Sequence, residues 1–460
     1  MNFVFFDLSL LIAFTIFIII FLYTHKKNMR REGIFFLYRT QLGVKIIKIF
    51  SEKNKKILNW MKYPIIISGF CLMISIFWFF VYSFWQYLIN PRITELVKAP
   101  PIAPLIPYFP KLFGMESFFP PLYFIYFIIV ISLVAIIHEF SHGIFMHLYK
   151  IKIKSTGFVF LGPILGAFVE QDDKQMKLKK ASEQMTILSA GTFANLILCF
   201  VSFIIMALFF ISFFVPSGYI FNTYSITQVN KSEIQNISLI GNLTEVKTAL
   251  KSYYLDSNLI KQLNSTEFQN YTYLVAYEGP AVLVGLNGAI TEINGEKIIS
   301  QKQLANFLSK TSSGEKVKII TENEDGEKTW ELILDKNPNN NSIGYIGIGS
   351  YSSSSKGIVT KVVYSLTKFK DPNIYYKSKY SNGLTKFVYD FLWWMVMINL
   401  LVALFNMLPL AFLDGGRFFY LAIFSLTKSE KIAQKSFKLI TYFLFLILIL
   451  MMISWFFRII

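Results

Sequence analysis

Charge is scarce in this chain of 460 residues. Only 16% are Asp, Glu, Lys or Arg, against about 25% in a soluble domain. Cysteine is scarcer still: Cys71 and Cys199 are the only two, and both lie inside apolar runs. No disulfide framework is available, so the redox compartment cannot be read from them. Apolar side chains fill the gap, at 54% of residues, with 48 Phe and a mean hydropathy of +0.48. This composition argues against a soluble multidomain enzyme and against a disordered chain. The surplus apolar surface needs a low-dielectric solvent, which a bilayer supplies. Acid is the rarer sign, 28 residues against 45 basic, for a net charge of +17. That balance suits either nucleic acid or a membrane surface, and the placement of Lys and Arg decides between them.

Six runs reach the roughly 20 apolar residues that a spanning helix needs. They are Phe3–Tyr23, Tyr63–Leu88, Pro121–Leu148, Met185–Val215, Phe387–Leu413 and Ser436–Ile460. The first lacks the basic leader and small-residue cleavage site of a signal peptide and reads as a retained helix. Between it and the second lie eleven basic residues, from Lys26 to Lys62, against Glu32 and Glu52. The loop after the third run carries Lys150 to Lys180, and the loop after the fifth carries Arg417 to Lys438. These three loops fall on one side, and positive-inside bias makes that side cytoplasmic. The chain is expected to contact anionic headgroups of the lipid bilayer there, and no nucleic-acid module is visible. Both termini and the Pro-rich loop 89–120 are then external.

The expected organisation follows: 1–62, a first transmembrane helix and basic loop; 63–120, a second helix and external loop; 121–216, two core helices; 217–385, an extracytoplasmic domain; 386–418, a further core helix; 419–460, a cytoplasmic loop and last helix. All six Asn-x-Ser/Thr sequons, at Asn230, Asn236, Asn242, Asn264, Asn270 and Asn340, fall in the fourth segment, which agrees with an external location, although a polar, Asn/Ser/Thr-rich domain collects sequons anyway. Within that segment, Leu274–Val284, Ala289–Ile293, Val317–Thr321 and Thr329–Leu334 are β-prone, and Gln303–Leu308 has helical spacing. Asn294-Gly295 reads as a hairpin turn, and Glu324–Glu327 as the turn between the last two strands. The domain is α+β, with residues 217–273 unassigned. Gly285–Ile298 resembles the core of a PDZ domain, and Gly344-Tyr345-Ile346-Gly347-Ile348 resembles its carboxylate-binding strand, placed last as in circularly permuted members. That resemblance implies capture of peptides or C-terminal segments as an added strand. An ordinary β-rich ectodomain is the alternative.

The third apolar run ends in His138-Glu139-Phe140-Ser141-His142. Spacing of four puts both imidazoles on one helix face, able to hold one Zn²⁺. Glu139 is rotated about 100° from His138 and can serve as general base. Ionisable residues near the middle of a span cost about 2.5–3.5 kcal/mol each on insertion scales, so three together call for a reason. Polar residues bonded to neighbouring helices are the bland alternative. His147 reads as an interfacial anchor, and His25 has no evident partner. Catalytic zinc usually takes three protein ligands. Asp414 is a candidate third, expected at the cytoplasmic end of the fifth helix, with Pro409 breaking the ladder just before it.

His138–His142 together with Asn406-x-x-Pro409-x-x-x-x-Asp414-Gly415 resembles the site-2 protease family of intramembrane zinc metalloproteases. The resemblance implies a multi-pass α-helical membrane protein in which His138, His142 and Asp414 hold zinc and Glu139 is catalytic. Gly191-Thr192-Phe193-Ala194-Asn195 looks like the family's G-x-x-x-N element, which gives Asn195 a role near substrate or oxyanion. Asn406 maps onto another position near the site. Gly157–Glu170 resembles the family's re-entrant β-hairpin, turning at Gly162, Pro163 and Gly166, where substrate pairs as a strand. Thr192 and Phe412 stand where members often have Pro. The implied activity is regulated intramembrane proteolysis of single-span membrane substrates, in the plasma membrane with the PDZ-like domain outside. The rival readings are a catalytically idle scaffold recruiting partners through that domain, and a zinc transporter, which would want acids or His on further helices. The first two helices and the last look peripheral.

Overall fold

The computed structural model describes residues 3–26, 29–33, 35–90, 100–101, 103–161, 164–240, 243–249, 251–256, 273–323, 326–349, 367–380 and 382–459. The chain forms two compact units, Met1–Met206 with Phe387–Ile460, and Ala207–Lys386.

The first unit starts with α1 (Phe3–Thr24), β1 (Met29–Glu32), β2 (Phe35–Thr40), α2 (Leu42–Lys53) and α3 (Lys55–Ile89). A short α4 (Phe109–Leu112) precedes α5 (Phe124–Leu148), β3 (Ile153–Leu161), β4 (Ile164–Gln171), α6 (Asp173–Lys177) and α7 (Ala181–Phe213). Six helices among the described residues are long and apolar enough to cross a membrane. Their outward side chains are apolar, Phe5, Ile12 and Ile19 on α1 among them, a surface that water does not tolerate over such an area. The protein is a multi-pass integral membrane protein.

The basic stretch after α1, expected as loop, is structured. β1 and β2 extend the β3–β4 hairpin into one antiparallel sheet ordered β1-β2-β3-β4. Gly157 on β3 faces the Tyr38 carbonyl of β2 so closely that a Cβ would clash. α2 then lies on α5: Ile47 fills the space a side chain at Gly143 would take, and Ser51 Oγ donates to the Ile144 carbonyl at 3.2 Å. The hairpin of β3 and β4 is thus one end of a larger sheet, with β4 as its last strand. Its turn residues Gly162 and Pro163 lie outside the described residues.

The helices expected to be peripheral are integrated too. On α1, the Asp7 carboxylate accepts from the backbone N–H of Phe124 (2.6 Å) and Ile125 (3.0 Å) and from the Tyr108 hydroxyl. A carboxylate there satisfies orphan donors and suits the positive end of α5. Burial, then this carboxylate, pushes the Tyr108 phenol above its ordinary pKa. Gly69 lets α3 close on Ser189 of α7 and on Phe418. His25 has partners as well, stacking on Phe21 at 4.3 Å.

In the second unit come β5 (Phe214–Tyr219), β6 (Thr223–Asn230), β7 (Ile234–Ile240), β8 (Leu243–Thr248), β9 (Ser252–Asp256), β10 (Tyr273–Glu278), α8 (Pro280–Val284), β11 (Ala289–Ile293), β12 (Glu296–Lys297) and α9 (Gln301–Leu308). They are followed by β13 (Lys316–Asn323), β14 (Gly326–Ile333), β15 (Asp335–Asn337), β16 (Asn340–Tyr345), β17 (Ile348–Gly349) and β18 (Ile374–Ser378). The unassigned stretch 217–273 contributes to an antiparallel sheet ordered β17-β6-β10-β9-β8-β7, and a second sheet runs β14-β13-β11-β5-β18. Leu274–Val284, expected as one β-prone run, breaks at Gly279 (φ +95°) into strand and helix. Pro280 cannot extend the ladder but fits a first helical turn. Asn294 and Gly295, at φ +49° and +84°, make the tight turn between β11 and β12. Residues 324 and 325 of the expected Glu324–Glu327 turn lie outside the described residues, as do the sequons at Asn242, Asn264 and Asn270. Leu286, Ile290, Ile293, Leu304, Val317, Ile319 and Ile346 form the apolar core. A groove of about 260 Å³ runs between α9 and the segment Ile343–Ile348.

The chain returns to the first unit through α10 (Asn382–Asn406), then α11 (Asp414–Thr427) and α12 (Glu430–Ile459). The fifth apolar run therefore does not carry helix to Leu413, and Arg417 is helical rather than in a loop. Helix α10 stops at Asn406, residues 407–413 turn, and a new helix starts at Asp414. Pro409 cannot serve the ladder. Gly415 and Gly416 lie against the backbone of Met407 and Leu410, where no Cβ would fit. Thr441 of α12 donates to the Pro409 carbonyl at 3.2 Å.

Candidate metal centre

Three elements converge in the first unit. From α5, Nε2 of His138 and Nε2 of His142 lie 3.0 Å apart, as one helical turn dictates. Oδ2 of Asp414, in the first turn of α11, lies 3.2 Å from the former and 3.3 Å from the latter. Both histidines are buried and Asp414 is partly so. Four-coordinate zinc with bonds of about 2.0–2.2 Å sets its ligand atoms roughly 3.3 Å apart, so this triangle has the right size. Nδ1 of His142 is 2.6 Å from the Ile187 carbonyl oxygen. A carbonyl only accepts, so Nδ1 carries the proton and the Nε2 lone pair faces the triangle.

Helix α7 forms the back wall. A Cβ on Gly191 would stand 2.5 Å from Nε2 of His142 and 2.8 Å from Nδ1 of His138. The missing side chain is the room in which the imidazoles sit. Asn195, one turn on, is fully buried, its Nδ2 is 3.0 Å from Nδ1 of His138, and its Oδ1 has no hydrogen-bond partner.

Glu139 points the other way. Its Oε2 accepts from the backbone N–H of Val169 on β4 at 3.1 Å. That N–H points away from β3, on the outer edge of the sheet's last strand. Glu139 also lines, with His138, Asn406 and Asp414, a cavity of about 290 Å³ whose remaining wall is apolar: Ile131, Val134, Ala135, Val402, Phe412 and Leu413. Of the two asparagines singled out in the sequence, Asn406 faces this cavity and Asn195 does not.

Backbone groups escaped the sequence reading, namely the Ile187 carbonyl and the Val169 N–H. A sequence carries no signal for them, since every residue has both. Gly191 was in view only as part of a motif, and its reason is steric.

The profile of peptidase family M50 matches residues 126–452. This chain belongs to peptidase family M50. The match begins on α5 and ends on α12, so it spans all three metal-directed side chains. An uncharacterized protein of Methanocaldococcus jannaschii is 31% identical over 195 residues, 41% of this chain and 48% of that protein. The chain spans about half the length of this curated relative. M50 peptidases are zinc metalloproteases in general, and two imidazoles and a carboxylate at this spacing suit that metal.

Proposed function

We propose that this M50 peptidase is an intramembrane zinc metalloprotease that hydrolyses peptide bonds of single-span membrane proteins by regulated intramembrane proteolysis. The observation that carries the reading is the triangle of His138, His142 and Asp414, with donor atoms 3.0–3.3 Å apart beside the Glu139 carboxylate. His138, His142 and Asp414 hold the metal. When bound, zinc supplies Lewis acidity, which makes water nucleophilic near neutral pH and draws charge from a carbonyl oxygen. Glu139 takes the proton from the attacking water and delivers it to the leaving amine. Asn406, on the cavity wall, donates to the carbonyl oxygen as it gains charge.

A transmembrane helix keeps its carbonyls hydrogen-bonded, so a substrate must unwind before it is cut. The outer edge of β4, which pairs with no further strand among the described residues, offers the unwound segment a strand to pair with, and Val169 on that edge donates to Glu139. The apolar cavity wall suits an apolar substrate side chain. The second unit acts as a PDZ-like module in the extracytoplasmic space of the plasma membrane, taking peptides or C-terminal segments in the groove beside α9. Its exposed sequons at Asn236 and Asn340 accord with that side.

The test is cleavage of a single-span substrate by the wild type and by Glu139→Gln. Loss of the general base should slow cleavage by about 10²–10⁴-fold while zinc content stays stoichiometric. Equal cleavage by both proteins would overturn the mechanism.

A further inference from the structure

The amide of Asn195 presents a contradiction that its neighbours resolve. With Nδ2 facing Nδ1 of His138 at 3.0 Å, the amide is the donor and the ring nitrogen must be the acceptor. The proton of a neutral His138 would then sit on Nε2. That nitrogen is 3.0 Å from Nε2 of His142 and 3.2 Å from Oδ2 of Asp414, where a cation needs a lone pair. The same orientation leaves Oδ1 buried without a partner. Oxygen and nitrogen of a side-chain amide exchange places by a half-turn and are assigned from their surroundings. Turned over, Oδ1 accepts from Nδ1–H of His138, and the Nε2 lone pair points into the triangle.

The displaced nitrogen needs an acceptor in the helix interior. Backbone N–H groups there are consumed by the ladder, whereas carbonyls keep a second lone pair. Asn399 shows the pattern on α10, donating its Nδ2 to the carbonyl of Met395 four residues back at 2.7 Å.

We propose that Asn195 is a positioning residue: its Oδ1 holds the Nδ1–H of His138, and so sets the tautomer and the ring orientation that aim Nε2 at the metal. His142 receives the same service from the Ile187 carbonyl. Asn195 does not touch substrate; it lies behind the imidazoles, away from the cavity that Glu139 and Asn406 line. This inference rests on the zinc reading above.

The test uses the full-length protein in detergent, with Zn²⁺ competed against a chelator of known affinity and with substrate cleavage followed in parallel. Asn195→Ala removes the acceptor and should weaken zinc binding about 10–100-fold. Asn195→Asp keeps an acceptor and has no donor, so it should bind zinc at least as tightly as the wild type. An oxyanion-binding Asn195 predicts the opposite pattern: both variants hold zinc normally and both lose kcat, which overturns the proposal. If Asn195→Ala fails to fold, Asn195→Asp decides alone, and zinc bound more than about tenfold more weakly sinks the idea. A wild type that binds no stoichiometric zinc overturns the metal reading and this inference together, whereas zinc-loaded wild type and Asn195→Ala of equal affinity overturn only the inference.

Discussion

Gly191 and His142 are set so that a single methyl group on the glycine would stand 2.5 Å from the imidazole Nε2 that faces His138 and Asp414. Helix α7 is packed against the two histidines as closely as a bare backbone allows. The same methyl would stand 2.7 Å from Cε1 of His138. Gly191→Ala should therefore push both rings off their positions. Overpacking of this kind costs about 1–3 kcal/mol, and misdirected ligands should lower zinc affinity about 10–100-fold. Chelator competition on the purified variant checks it; normal zinc affinity would mean that α7 yields rather than the rings.

Asp414→Ala should abolish stoichiometric zinc, since two imidazoles alone leave the site one protein ligand short of the usual three. Metal analysis after dialysis is the measurement. Full retention would identify some other residue as the third ligand.

Val169→Pro removes the N–H that the Glu139 carboxylate accepts, and it blocks pairing at that point of the β4 edge. Proline is tolerated on an outer edge, so the sheet should survive. Zinc content should be unchanged while cleavage falls on the order of 10²-fold, the effect of a catalytic group displaced by about 1 Å. Wild-type cleavage rates in this variant would remove both the tether and the proposed strand pairing.

Asp7→Ala strands the N–H groups of Phe124 and Ile125 and the Tyr108 hydroxyl. Each buried unsatisfied donor costs about 1–3 kcal/mol, so thermal unfolding in detergent should come several degrees lower. Unaltered melting would show that water replaces the carboxylate.

Ala305→Trp, on the exposed face of α9, should fill the groove beside Ile343–Ile348. Peptide binding to the full-length protein should be lost, with cleavage of a bare transmembrane segment retained. Unimpaired peptide binding would place the docking site elsewhere.

The apolar runs were legible because period and length alone carry them. The ends were not. The fifth run reads as helix to Leu413, yet α10 stops at Asn406, because Pro409 cannot serve the ladder and Gly415 and Gly416 admit the turn backbone beside α11. The stretch from Met29 to Lys53 reads as basic loop because its strand pattern is short and its partner, β3, lies more than a hundred residues away. Leu274–Val284 reads as one run because a strand and a short helix both favour apolar residues, and only Gly279-Pro280 divides them.

By itself the sequence determined the membrane habit of this protein and the pair His138 and His142 with Glu139 beside them, since a helix of 3.6 residues per turn places residues four apart on one face. It also supplied Asp414 as a candidate. Tertiary structure alone decided that Asp414 meets the pair, from the start of a separate helix, and which asparagine faces the cavity and which stands behind the ring. It alone brought in the Ile187 carbonyl and the Val169 N–H. The reason is physical: contacts within one helix follow from local geometry, while contacts between helices, and those made by backbone groups common to every residue, depend on how the elements pack.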